Sequence, residues 1–179
     1  MKHRFAMSLL ALVGAISAAR AGEIVIDFEQ AQVGKPVATW TEKGVVFQLA
    51  GPLAHSKATG RIMFFPHLAT DHKGILNAMA TEQAIPVLAT LPSSASAVKL
   101  VFWGSTGCPA LLEALDKSGA VVDQASVSAA PSRKSPAAPV PFFELTVKAP
   151  AIAAIRFSGP RDGEFLAADE IRITTADVQ

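Results

Sequence analysis

Short apolar runs recur along this chain, each a few residues long and each closed by Gly, Pro, Asn, Asp or Ser. That rhythm constrains the fold more than any single motif. Strand-length runs at regular spacing, with turn residues between them, build an antiparallel sandwich or barrel. The run 23–29 alternates, with Ile24, Ile26 and Phe28 on one face and Val25, Asp27 and Glu29 on the other. Further runs lie at 44–49, 61–65, 84–91, 97–103, 110–116, 120–127, 142–147, 152–157 and 165–173. Pro86 marks an edge or a strand start. Residues 116–119, Asp-Lys-Ser-Gly, fit a hairpin loop with Gly119 in the left-handed conformation. Residues 111–115 have helical propensity, but the turn signals on both sides leave too little length for a stable helix. The segment 74–81 is ambiguous between helix and strand. Residues 129–139 carry three prolines, two cations and no large apolar side chain, so they read as a surface loop. The expectation is a single all-β domain, an antiparallel β-sandwich of about ten short strands.

The first 21 residues are of a different kind. Met1, Lys2, His3 and Arg4 make a basic start, residues 5–16 are apolar, and Ala19, Arg20 and Ala21 fit a small-x-small cleavage site. The apolar run is shorter than the roughly 20 residues that span a bilayer. The expectation is a cleaved secretory signal at 1–21, a domain at 22–179, and a periplasmic or extracellular location without membrane insertion. The whole chain carries 16 Lys and Arg against 15 Asp and Glu. Lys2, Arg4 and Arg20 leave with the signal, so 13 cations face 15 acids and the mature net charge is −2. That balance gives no electrostatic case for nucleic acid or an anionic membrane as partner. The one cysteine, Cys108, excludes an internal disulfide, and its turn-rich surroundings carry no thiol-enzyme signature.

Three pieces resemble a galactose-binding-like jelly roll, the sandwich of many carbohydrate-binding modules. They are the opening 26–29, the central pair 98–102 and 112–122, and the closing 155–159 with 168–173. The resemblance covers nearly the whole mature chain and is one of pattern. It implies that the first and last strands run near each other and hold a structural calcium ion. Glu29 and Asp169 match those positions, with Asp27 and Glu170 beside them. Calcium takes six to eight oxygens, so two acids with main-chain carbonyls and water would serve. On alternation alone, Asp27 and Glu29 are a solvated strand face.

Candidate ligand-binding residues are few. His67, Asp71 and His72 cluster in one segment, with His55 upstream, but their spacing matches no metal or catalytic signature. No nucleophile elbow, zinc-protease motif or phosphate loop is present, and neither Ser56 nor Ser105 stands in a nucleophile motif. A glycosidase needs two facing carboxylates, for which Glu42, Glu82, Glu113 and Glu144 are available. A lyase would want cations such as Lys57, Arg61 and Lys73. Sugar platforms are built from flat aromatic faces, and the chain has no Tyr and two Trp. Trp103 falls on the face opposite Val98, Leu100 and Phe102, where it either offers a platform or caps the sandwich. Trp40 lies at a turn and could line a loop site. The expected function is a non-catalytic exported module binding a glycan or another envelope ligand. An envelope accessory protein acting through a protein partner comes second, and a hydrolase or lyase using 55–73 third.

Overall fold

A computed structural model describes residues 22–50, 62–66, 73–76, 86–104, 109–129, 131, 134–135, 138–139, 141–158 and 166–176. Within them the chain is all β, without helix, in ten strands. These are β1 (Glu23–Ile26), β2 (Thr39–Glu42), β3 (Val45–Leu49), β4 (Met63–Pro66), β5 (Lys73–Leu76), β6 (Val87–Gly104), β7 (Ala110–Leu115), β8 (Val121–Val127), β9 (Phe142–Ser158) and β10 (Leu166–Thr175). Every ladder is antiparallel. The expected signal at 1–21 and Cys108 lie outside the described residues, as do His55, His67, Asp71 and His72.

Two strands are far longer than the pattern predicts. The runs at 84–91 and 97–103 are parts of one strand, β6, of 18 residues, and 142–147 and 152–157 are parts of β9, of 17. Both bend where the register between them slips, between Thr90 and Ala97 on β6 and between Lys148 and Ile152 on β9. Pro92 and Pro150 lie in these corners, where a missing N–H and a fixed φ favour a bend. The bends turn one continuous hydrogen-bonded sheet into two layers. In the first, residues 87–90 of β6 pair with β3 on one side and β9 on the other, followed by β7 and β8. In the second, residues 97–103 of β6 lie between β10 and residues 142–148 of β9. Strands β1 and β5 add to β10, and β4 adds to β5.

Alternation fills the space between the layers. Val45, Phe47, Ala89, Leu112, Ile155 and Phe157 face inward from the first layer. Ile26, Val98, Leu100, Phe102, Val147, Ile171 and Ile173 meet them from the second. Each large side chain so buried contributes about 1.5–3 kcal/mol. Phe28 and Phe47 pack edge to face at 5.3 Å, and Phe102 stacks on Phe143 at 5.4 Å. The expected turn at 116–119 forms, with Gly119 at φ 84°. The β2–β3 hairpin turns on Lys43 and Gly44, both at positive φ (47° and 82°), the two-residue geometry whose twist matches its strands. The opening run stops at Ile26 rather than Glu29, because Phe28 adopts φ 56° and breaks the extended chain. The ambiguous segment begins inside β5, a strand.

Candidate ligand-binding face

Trp103 points away from the core, as alternation predicts, yet is 2% exposed. It therefore offers no stacking platform. The reason lies on the neighbouring strands. Ala167 stands opposite Trp103, and Gly74 of β5 lies beyond it. A Cβ on Gly74 would fall 2.8 Å from both Trp103 Nε1 and Ala167 Cβ. Two small residues thus leave a trough into which the indole lies, with Phe65 packed against it. Trp40 is half-buried. Its ring packs edge to face on Phe64 at 5.1 Å and its Nε1 donates to Glu42 Oε2 at 3.2 Å.

The acids at the strand ends are engaged with main chain. The other Glu42 carboxylate oxygen accepts the Asp27 N–H at 3.2 Å, and Asp27 Oδ1 accepts the Glu29 N–H at 3.2 Å. Glu29 Oε1 accepts the Lys73 N–H at 3.3 Å, and Lys73 Nζ donates to the Glu29 carbonyl. Asp169 is the single buried charged residue among the described residues, in the bulge between Ala168 and Glu170. The β1–β10 register, ending at Ile26 opposite Ile171, brings Glu29 and Asp169 to the same end of the sheet. Among the described residues no three His, Cys, Asp or Glu side chains converge.

The outer face of the second layer holds a different constellation. Glu23 from β1, Glu170, Arg172 and Thr174 from β10, Ala97 and Lys99 from β6, and Glu144 and Thr146 from β9 line a shallow depression of about 470 Å3. They come together because each occupies an outward position on four adjacent strands, with Arg172 opposite Lys99 and Lys99 opposite Thr146. Lys99 Nζ meets Glu144 Oε1 at 2.9 Å, Arg172 Nε meets Glu170 Oε1 at 2.6 Å, and Arg172 Nη1 lies 3.8 Å from Glu23 Oε2. The hydrogen bond and charge of Glu170, aided by Glu23 and Glu144, push the Arg172 guanidinium further up from its ordinary value. These side chains remain 28–55% exposed. Exposed pairs contribute only about 0–1 kcal/mol, so an incoming ligand can exchange them at little cost. Phe142 lies two residues before Glu144 on the same face and is 40% exposed. Of these residues only Glu144, as a possible carboxylate of a glycosidase pair, and Glu170, as a neighbour of Asp169, stood out in the sequence, and nothing there joined them to each other or to Glu23, Lys99, Arg172 and Phe142.

No protein-family model matches the chain, and neither does any curated protein. Solved structures do. The K1 cleaved adhesin domain of Lys-gingipain from Porphyromonas gingivalis W83 aligns over 86% of this chain and 98% of its own, at 14% identity and a TM-score of 0.52. The K3 cleaved adhesin domain of the same protein aligns over 87% and 100%, at 13% identity and 0.50. BiXyn10A CBM1 in its apo form aligns over 86% and 97% at 13% identity, with a score of 0.45 that is too low to bear on the fold. The adhesin likeness establishes a shared jelly-roll β-sandwich, and at such identity it establishes nothing about ligand.

Proposed function

We propose that this domain is an exported, non-catalytic binding module that takes a glycan on the outer face of the β1–β10–β6–β9 sheet. One observation carries the reading. A solvent-open depression is lined by acceptors (Glu23, Glu144, Glu170), donors (Lys99, Arg172) and two hydroxyls (Thr146, Thr174), its charged groups joined by partly exposed ion pairs. Sugar hydroxyls donate and accept, so they can satisfy both kinds of group. Phe142 supplies an aromatic surface at the margin. The carboxylates are paired with cations rather than set against each other across a gap, which is the arrangement glycoside hydrolysis requires. The adhesin domains that share this fold add support of a general kind.

Retention on a panel of gel-embedded polysaccharides tests the proposal. Hydrogen bonds to charged groups contribute about 1.5–3 kcal/mol, so Arg172→Ala should weaken retention about tenfold or more. Trp103→Ala is expected to act through stability instead. A chelator arm tests the calcium that the resemblance implies at Glu29 and Asp169, read as a fall in melting temperature. Capture of an envelope protein with no retention on any polymer would favour the accessory-protein reading. Accumulation of the full chain in the cytoplasm would sink export.

A further inference from the structure

The charges of the depression interleave rather than segregate. Along β10, Glu170 and Arg172 are outward neighbours. Across the ladder from Arg172 stands Lys99, beyond it on β9 Glu144, and on the other side on β1 Glu23. Three carboxylates and two cations share one footprint, and each cation touches a carboxylate. An oxyanion seated between Lys99 and Arg172 would sit beside three like charges. A ligand cation seated on the acids would meet the guanidinium and the ammonium. With both signs so closely mixed, the face projects no single-sign field to draw in a polyelectrolyte.

The face is also closed in one direction. The outward row beyond Glu170 and Glu144 is Ala167, Trp103 and Phe142. Its middle is occupied by the buried indole, which reaches across Ala167 to Gly74. Glu23 and Glu144 stand on the outermost strands, three strand spacings or about 14 Å apart across the sheet and four residues, from the level of Ala97 to that of Val101, or about 13 Å, along it. We infer that the ligand is an uncharged polyhydroxylated chain, a neutral polysaccharide, lying across the strands from β1 to β9. This inference rests on the reading of the face as a glycan site.

The experiment is affinity electrophoresis of protein purified from expression of the full chain. The gels contain neutral polymers (β-glucan, xylan, mannan) or acidic ones (polygalacturonate, alginate). Each is run at low salt and at about 1 M, where exposed charges are screened beyond about 3 Å. The expected result is retention on a neutral polymer that changes less than twofold with salt. Lys99→Ala and Arg172→Ala should each lower it about tenfold, and Glu23→Gln and Glu144→Gln several-fold, with melting temperature confirming that the variants fold. Retention on acidic polymers alone, falling steeply with salt, overturns neutrality and leaves the glycan reading standing. Undiminished retention in both Glu variants overturns the crossing path. Absence of retention on every polymer overturns the inference and the proposed function together.

Discussion

The absence of one β-carbon decides the fate of Trp103. Alternation along β6 places this residue on the outer face, and that much was legible in the sequence. What the sequence could not convey is that β5 and β10 lie beside it with Gly74 and Ala167 in register to receive the ring. Gly74→Ala would force a methyl into the trough, and overpacking of this kind costs about 1–3 kcal/mol. A lower denaturant midpoint together with a shifted tryptophan emission would show it. Asp116 is the opposite case, since its turn chemistry was readable from four letters. Its Oδ1 accepts from the Ser118 hydroxyl at 2.6 Å, the Ser118 N–H at 2.8 Å and the Ala120 N–H at 3.0 Å. The Ser118 hydroxyl first, then the Ala120 amide, hold the carboxyl below its ordinary range. A carboxyl lowered by folding stabilises the native state above the unfolded value and loses that contribution as pH falls through the folded one. Asp116→Ala should therefore melt earlier than wild type at neutral pH. The gap should narrow as pH drops below about 3.9, the ordinary aspartate value.

Elements were legible as runs and turns, and illegible as neighbours. Most of the ten strands coincide with an alternating run, but β2 is too polar to announce itself, with a single apolar residue in Thr-Trp-Thr-Glu. The corners at Pro92 and Pro150 look like strand ends because local sequence cannot show that pairing resumes beyond them. The candidate face suffered most from this. Its charged residues come from four strands whose order, β1–β10–β6–β9, mixes the start, middle and end of the chain. A sandwich made in this way must also guard the edges it leaves open. Residues 142–148 of β9 lie at the margin of the second layer, and Asp123 of β8 reaches over to accept the Lys148 N–H at 2.7 Å. Asp123→Ala would leave that donor to water and expose the edge to another strand. A loss of about 0.5–1.5 kcal/mol is expected, with concentration-dependent association in sedimentation velocity. A variant that stays monomeric and equally stable would show that Asp123 guards nothing.

The whole molecule is closed by its most distant parts. Glu23 pairs with Thr174, so β1 finds its place only once β10 is laid down. Such non-local pairing predicts refolding in milliseconds to seconds or slower, measurable by stopped-flow fluorescence. Removing residues 166–179 should abolish folding, since it takes Ile171 and Ile173 from the core and the partner from β1, β5 and β6. The same closure brings residues 22 and 175 side by side, where the Gly22 N–H donates to the Thr175 hydroxyl at 2.8 Å and the Thr175 N–H donates to the Gly22 carbonyl at 2.9 Å. Tension drawn through these two points would act across the strands, along the hydrogen bonds of the ladder. It would open β1 from β10 one bond after another, as a zipper opens, at far lower force than shearing the strands lengthwise. Glu23 would be the first side chain carried off the depression, so a load on these two points would dismantle that face before the core strands parted.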